Sequence, residues 1–361
     1  MYTVAIANHK GGSGKTTTAV NLAASLAEMQ YQVLLIDLDP QSHATLSFGV
    51  ELETDEPSIF WAMGQENNDR ALLAEIAMPV ERGLSLVPSA PLPIHEEESL
   101  MGRRDRLLRL RELVAQIQKY DFVVIDCPPA LGILTCNAFM ASQAVLLPVE
   151  TSFYAMHGVG RALEAIADLE KRYGHAVRHM AVATLFDRRT ALARDILEEL
   201  RRYFRGAMLD TVIHQSIHLR EASSHGKPVT AYAPSSRGCR DYCDLAEEFL
   251  QRIGVTTGEV ASGCSEEVVL LAQMYGNSRE TIERLRDAGY TTLEGLRRAQ
   301  AKKLAHHAGL SQHVARQMIR HATRMQGFTT STRHRAPLPA EPRAVDLGEA
   351  SVSPDNLQAV G

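Results

Sequence analysis

The feature that most constrains the fold is a glycine-rich loop near the start of the chain, HKGGSGKTTT, which begins at His9. An apolar run, YTVAIAN, precedes the loop, and an Ala- and Leu-rich stretch with helical spacing follows it. The order of strand, glycine turn, G-K-T and helix is the one that triphosphate binding requires. Backbone amides turn toward the phosphates in such a loop, and the helix N-terminus adds positive charge. The loop therefore predicts a P-loop fold.

Within the loop, Lys15 is expected to reach the β- and γ-phosphates of ATP, and the Thr16 hydroxyl to ligate Mg²⁺. The pattern departs from an ordinary P-loop because His9 replaces the first glycine and a second lysine, Lys10, follows it. The predicted nucleotide contacts in the loop are Lys10, Gly11, Gly12, Ser13, Gly14, Lys15, Thr16 and Thr17.

Two acidic residues follow apolar runs that read as buried strands. Asp126 closes FVVID, and Asp39 in LLIDLDPQ is expected at the corresponding place on another strand. Carboxylates at the carboxyl edge of a parallel sheet hold Mg²⁺ directly or through water. A single acid there is often a helix cap, but two in phase with a P-loop favour metal binding. The predicted metal ligands are Thr16, Asp39 and Asp126.

Short apolar runs alternate with amphipathic stretches up to about residue 254. This alternation predicts βαβ units in a mostly parallel, doubly wound, Rossmann-like sheet. A small, polar composition follows, then a basic helical stretch, and then a stretch rich in Pro, Ser and Thr. The predicted domains are an ATPase domain at 1–254, a linker at 255–265, a small all-α domain at 266–326 and a disordered tail at 327–361.

The net charge of −5 is unevenly distributed, because the segment 277–325 carries +6 and the remainder carries −11. The asymmetry suggests a basic module attached to an acidic body. The five cysteines lack paired C-x-x-C spacing, which favours reduced thiols, and no apolar run reaches the length of a membrane span. We therefore expect a cytoplasmic protein with no membrane partner.

Segments 271–285 and 304–318 align at an offset of 33 residues, and each reads as helix, glycine turn and helix. Together they resemble a tandem helix-hairpin-helix domain, a kind of module that binds DNA without sequence preference. Binding of a partner protein remains the alternative, because the same fold is used to bind either DNA or protein. The predicted DNA-binding residues here are Arg297, Arg298, Lys302, Lys303, Arg316 and Arg320.

Four motifs over about residues 1–252 resemble the ParA family of partition ATPases, within the wider ParA/MinD class. They are the loop HKGGSGKTTT, DLDPQ from Asp37, DFVVIDCPPALGILTCNA from Asp121 and TVIHQSIHLREASSHGKPV from Thr211. The resemblance implies an ATP-dependent homodimer in which Lys10 crosses the interface to the partner's nucleotide. It also implies that Asp39 positions or activates the attacking water. Lys10, Lys15 and Asp39 are accordingly the predicted catalytic residues.

The resemblance further implies a weak ATPase that coats the nucleoid by nonspecific DNA binding. A ParB-like or cargo adaptor protein would stimulate hydrolysis and so position a chromosome locus, plasmid or protein assembly. Because the adenine-side loop here reads Ile213, His214, Gln215, Ser216, the predicted base contacts are Asp187 and His214. The basic positions that match, or lie beside, the family's DNA-binding arginines are Arg220, Arg237 and Arg240.

A second function class stays open at this point. The alternative is a nucleotide-controlled, DNA-bound regulator or scaffold. An electron-transfer ATPase similar to the nitrogenase iron protein is disfavoured, because Cys127 and Cys136 do not match the pattern of cluster-ligating cysteines.

Overall fold

The computed structural model describes residues 1–52, 56–65, 72–91, 102, 106–152, 155–255, 268, 271 and 278–324. Its strands are β1 (Tyr2–Ile6), β2 (Val33–Asp37), β3 (Met78–Glu81), β4 (Leu84–Val87), β5 (Phe122–Asp126), β6 (Ala144–Glu150), β7 (Arg178–Phe186) and β8 (Met208–His214). In this part of the chain they form one sheet of order β3-β4-β2-β5-β1-β6-β7-β8. Every pairing is parallel except β3 with β4, so the predicted mostly parallel sheet is confirmed.

The helices between and after the strands are α1 (Lys15–Glu28), α2 (His43–Leu46), α3 (Ile59–Gly64), α4 (Leu72–Ile76), α5 (Arg109–Ala115), α6 (Ile133–Ala141), α7 (Ala155–Tyr173), α8 (Ala191–Phe204), α9 (Ile217–Ser224), α10 (Val229–Tyr232) and α11 (Arg237–Arg252). A short 3-10 helix, Arg205–Ala207, leads into β8. Among the described residues, no helix combines the length and the apolar character needed to cross a membrane.

Helices cover both faces of the sheet, and the strand residues alternate between two cores. In β1, Val4 and Ile6 belong to the core that contains α1 and α11, whereas Ala5 belongs to the core on the opposite face. This alternation follows from the two-residue period of a strand. With both faces covered, β2 and β5 are buried throughout, and the one polar residue of each strand, Asp37 and Asp126, is its last.

The residues after 277 form helices α12 (Ser278–Asp287), α13 (Leu293–Arg297), α14 (Ala301–Ala308) and α15 (Gln312–Arg324). They share a core of their own, to which Leu285, Leu296, Leu304 and Met318 contribute. Gly309 ends α14 with a φ of +67°, a left-handed conformation that favours glycine. The connector between the two predicted hairpins holds an additional short helix, α13.

Several predictions concern residues outside the described ranges. Among them are residues 256–265 of the linker predicted at 255–265, residues 272–277 of the first hairpin and the tail predicted at 327–361. The domain boundaries therefore remain predictions.

Candidate nucleotide-binding site

The candidate site is a cavity of about 630 Å³ at the carboxyl edge of the sheet. It lies where β1 leads through the glycine-rich loop into α1, the place at which parallel α/β sheets bind ligands. Its walls come from the loop, from the segment after β2, from the end of β7 and from α9 and α11. The lining residues include Gly11, Gly12, Gly14, Lys15, Thr16, Thr17, Asp39, Pro129, Leu185, His214, Ser216, Arg220 and Tyr242.

The loop is held in a shape that exposes its backbone to the cavity. Gly12 and Gly14 have φ values of +75° and +86°, and Gly14 is the N-cap of α1. The Thr184 hydroxyl donates a hydrogen bond to the Ser13 carbonyl at 2.8 Å, which ties the loop to β7. Since left-handed backbone is costly for residues with a Cβ, these two glycines are required by the local geometry.

Lys15 lies inside this loop with only 8% of its surface exposed. Its Nζ donates to the Lys10 carbonyl at 3.1 Å. Burial lowers the pKa of Lys15, and the negative charges of Asp126 and Asp39 partly oppose that shift. The ammonium group is therefore incompletely compensated by the protein, which suits a position that receives phosphate charge.

Two carboxylates meet at the ends of neighbouring strands. Asp37 and Asp126 are register partners across β2 and β5, and both are fully buried. Burial raises the pKa of Asp126 well above its usual range, and the Asp37 carboxylate raises it further. The strand-end position expected for Asp39 thus belongs to Asp37, because β2 ends two residues before Asp39.

Asp37 is satisfied within the protein. One of its carboxylate oxygens accepts hydrogen bonds from the amide and the hydroxyl of Thr45, both at 2.7 Å, and the other accepts from the Asp39 amide at 3.2 Å. Burial raises the pKa of Asp37 to about 6 despite these bonds. We assign Asp37 to fixing the segment that carries Asp39.

Asp39 itself lines the cavity and is 6% exposed. Its Oδ1 accepts from the Gln41 amide at 3.0 Å, and its carbonyl accepts from the Ser89 hydroxyl at 2.7 Å. These contacts orient the carboxylate on a short turn beyond the strand end.

The donor set fits a magnesium ion. Among the described residues, neither carboxylate oxygen of Asp126 has a hydrogen-bond partner within the usual distance, although the nearby Thr16 hydroxyl moderates its pKa rise. Such a buried, unpaired carboxylate is expensive unless a cation compensates it. No group of three or more His, Cys, Asp or Glu in the described part forms a complete metal cage. Mg²⁺ in phosphate sites typically uses one or two protein oxygens together with phosphates and water.

Lys10, the second lysine of the loop, is directed elsewhere. Its Nζ forms an ion pair with Glu150 and donates to the Ser152 hydroxyl at 2.7 Å, at the end of β6. Its amide donates to Oδ1 of Asn8 at 3.0 Å. Lys10 is not among the residues that line the cavity. Sequence reasoning identified Lys10 but not Glu150, which lies 140 residues away along the chain.

Gly158 in α7 was also missed by sequence reasoning. A Cβ at this position would lie 2.7 Å from Oδ1 of Asn8 and 3.1 Å from Cβ of Lys10. The helix therefore packs directly against the start of the loop, and a side chain at this position would push the Lys10 segment aside.

On the far side of the cavity, His214 is held between two charged residues. Its Nδ1 lies 3.0 Å from the Asp241 carboxylate, and its Nε2 lies 2.8 Å from a guanidinium nitrogen of Arg237. Because Arg237 only donates, Nε2 is the acceptor and the ring proton is on Nδ1. Leu185, with a φ of +53°, lines the same wall.

The other predicted base contact, Asp187, lies outside the lining residues. It pairs with Arg189 at 2.8 Å, and hydrogen bonds from Arg189 lower the pKa of Asp187 to about 2. The structure thus places His214, but not Asp187, at the cavity.

The predicted DNA-binding residues fall into two environments. Arg237 is engaged with His214, whereas Arg220 and Arg240 are exposed on α9 and α11. In the C-terminal helices, Arg297 donates to the Ala322 carbonyl at 2.7 Å, and Arg298 pairs with Glu294 at 2.8 Å. The remaining four, all exposed, are Lys302, Lys303, Arg316 and Arg320.

Comparisons with known proteins match this geometry. A family model described as an AAA domain matches residues 1–179. The sporulation initiation inhibitor protein Soj of Bacillus subtilis is 39% identical over 247 residues, covering 68% of this chain and 96% of Soj. The chromosome partitioning protein ParA of Myxococcus xanthus is 37% identical over 253 residues, covering 69% and 88% of the two chains.

A solved structure with the same architecture is that of cobyrinic acid a,c-diamide synthase from Mycobacterium smegmatis with bound ADP and magnesium. It has a TM-score of 0.60 and 28% sequence identity, and the match covers 70% of this chain and 95% of that one.

Proposed function

The chain belongs to the ParA family of partition ATPases, within the ParA/MinD class, and from this premise we propose that it is an ATP-dependent dimerisation switch. In the proposed cycle, ATP closes two copies face to face on nonspecific DNA. A ParB-like or cargo adaptor then stimulates hydrolysis, which separates the subunits and ends the dimer's hold on the DNA. The cycle positions a chromosome locus, a plasmid or a protein assembly in the cytoplasm, at the nucleoid.

The chain is an ATPase that uses ATP and Mg²⁺, and its own residues account for the chemistry. Lys15 and the loop amides hold the β- and γ-phosphates. Thr16 and Asp126 are the residues that would hold Mg²⁺, which supplies charge neutralisation on the phosphates when bound. Asp39, fixed by Gln41 and Ser89, orients the attacking water and accepts its proton. His214 and Ser216, which line the cavity, are the residues that would contact the base.

The observation that carries the dimer is the direction of Lys10. Lys15 points into the loop of its own chain. Lys10 is instead held by Glu150 and Ser152 and does not line the cavity of its own chain. An ammonium group on the phosphate loop that does not serve its own pocket is suited to serve a facing one. A cation donated across an interface neutralises developing phosphate charge, as an arginine finger does.

The test uses Asp39→Ala, which should bind ATP, hydrolyse it slowly and accumulate as a dimer. Light scattering with ATP should give a dimer for this variant and a monomer for Asp39→Ala combined with Lys10→Ala. Direct binding of labelled ATP should persist in both. A dimer without Lys10, together with unchanged hydrolysis by Lys10→Ala alone, would contradict the proposal.

Glu150→Gln is the matched control, because it disturbs the same surface but releases Lys10 instead of removing it. We expect Glu150→Gln to dimerise with ATP at the same or a lower protein concentration than the parent. If Glu150→Gln and Lys10→Ala weaken the dimer equally, the effect comes from the surface and not from the lysine.

The positioning role is tested separately. ATPase activity that rises when DNA and a cargo adaptor are both added supports it. A sequence-specific DNA footprint that does not change with nucleotide would instead identify a DNA-bound regulator.

A further inference from the structure

The charges of the C-terminal helices differ sharply between the first half of this segment, residues 278–298, and the second, residues 301–324. From 278 to 298, five arginines stand against four acids. From 301 to 324 there are five Lys or Arg and no acid at all. We call this second stretch, α14, the Gly309 turn and α15, the basic hairpin.

Ion pairs reinforce the division. In the first half, Arg286 pairs with Asp287 at 3.0 Å, and Arg297 and Arg298 both pair with Glu294, at 3.4 and 2.8 Å. In the basic hairpin, Lys302, Lys303, Arg316 and Arg320 are all exposed, and none forms an ion pair or hydrogen bond with the described residues. Their charges are therefore available to a partner.

The basic hairpin is built as a stable platform for these charges. Leu304, Ala305, Ala308, Ala315 and Met318 are buried between its helices and the rest of the module. The small alanines let the helices approach closely. Arg316 and Arg320 are one turn apart and lie on one face of α15, separated by roughly 6 Å along its axis.

We propose that the basic hairpin is a binding surface for the phosphate backbone of duplex DNA, and that it acts whether or not ATP is bound. Charge complementarity favours a polyanion, because the hairpin contributes several cations that are unpaired among the described residues, and residues 301–324 contain no acid. Duplex DNA is favoured over single strands because residues 301–324 contain no Phe, Tyr or Trp on which bases could stack. Contacts of this kind are independent of sequence.

Independence from nucleotide follows from the location of the cations. Every residue that lines the nucleotide cavity lies between Gly11 and Tyr242. The basic hairpin contributes none of them, so its charge is the same with ATP, with ADP or with neither. It extends the proposed function, because the protein would stay weakly attached to DNA after hydrolysis has separated the dimer.

The experiment measures binding of the full chain, loaded with ADP, to a fluorescent duplex of mixed sequence at several salt concentrations. Four phosphate contacts predict a log–log salt slope of about −3.6, or an affinity loss of about 150-fold between about 50 and 200 mM salt. Arg316→Gln with Arg320→Gln should reduce the slope by about 1.8. The matched control, Arg286→Gln with Arg202→Gln, removes two arginines that pair with Asp287 and Glu198, and it should change the slope by less than about 0.5.

Three results would overturn the inference. They are no DNA binding by the ADP form at low salt, an unchanged slope for the Arg316 and Arg320 variant, or equal competition by an acidic polypeptide such as polyglutamate. Circular dichroism verifies that both variants are folded. Light scattering with ATP separates this inference from the proposed function, because the Arg316 and Arg320 variant should still dimerise, whereas loss of dimers in the parent chain would count only against the ATP switch.

Discussion

The nucleotide cavity and the basic hairpin both use positive charge, but they hold it in opposite ways. In the cavity, Lys15 is almost fully buried and lies near Asp126 and Asp39, whose negative charges partly oppose the lowering of its pKa by burial. In the basic hairpin, Arg316 and Arg320 are exposed and unpaired among the described residues. Burial makes an interaction strong and specific in position, whereas exposure leaves it weak, screened by salt and tolerant of the partner's sequence.

The largest expected effect separates the two regions by activity. Lys15→Ala should lower ATP hydrolysis by at least ~100-fold, because the buried ammonium group is lost from the phosphates. Arg316→Gln with Arg320→Gln should leave DNA-free hydrolysis within about twofold of the parent, since surface charges act weakly at a distance. Steady-state phosphate release measures both. A strong loss in the hairpin variant would show that the two regions are coupled.

The next effect concerns Gly11, a glycine that its own chain does not need. A Cβ at Gly11 would meet nothing within 4 Å, and its φ is not positive, unlike those of Gly12 and Gly14. Gly11→Val should therefore fold and bind ATP with an affinity within about threefold of the parent. It should not dimerise, because the proposed face-to-face dimer would bring the two loops close together at Gly11 and the added side chain would overpack that contact. Light scattering with ATP measures dimerisation of this variant. A Gly11→Val dimer would show that the two subunits do not approach each other closely at Gly11.

A moderate effect on stability is expected at the paired carboxylates. Asp126→Asn should raise the melting temperature of the nucleotide-free protein at about pH 8, by roughly 2–4 °C for each kcal/mol gained in the free energy of unfolding. The same change should abolish Mg²⁺-dependent hydrolysis. Burial raises the pKa of Asp126, so the folded state loses stability as pH rises from the unfolded value through the folded one. The gain should therefore shrink as pH falls and disappear below about pH 3, under the ordinary Asp pKa of 3.8, where the carboxyl group is protonated in both states.

Calorimetry of both proteins across pH tests this directly. A difference in melting temperature that does not vary with pH would mean that burial does not raise the pKa of Asp126 above its unfolded value. Exposed Arg316→Gln, measured in parallel, should show no such pH dependence.

The smallest effect lies in the turn of the basic hairpin. Gly309→Ala should destabilise the hairpin by about 1 kcal/mol, because a residue with a Cβ is strained at a positive φ. The added Cβ would also approach the Arg284 guanidinium, although that flexible group is able to move. Hydrogen exchange of residues 301–324 in the full chain should accelerate about fivefold, with no change at the nucleotide cavity. Faster exchange at α1 as well would show that the two cores unfold together.

The sequence alone determined the class of the fold and the central part of the site. The strand, the glycines and G-K-T are contiguous, and the periods of buried strands and amphipathic helices are local, so a parallel sheet and a phosphate loop followed from short stretches. Asp126 was placed at a strand end for the same reason, since an apolar run shows where a strand stops. The helical nature of the C-terminal segment was likewise visible in its repeat.

Tertiary structure alone decided which of these residues meet. Strand order makes Asp37, and not Asp39, the register partner of Asp126, and it brings Glu150 to Lys10 across 140 residues. Packing decided that Arg297 and Arg298 are engaged, while Arg316 and Arg320 have no partner in the part of the chain that the structure describes. The reason is physical: local patterns report the conformation of a stretch and the faces it presents, but whether a charge is paired depends on neighbours that only the folded chain supplies.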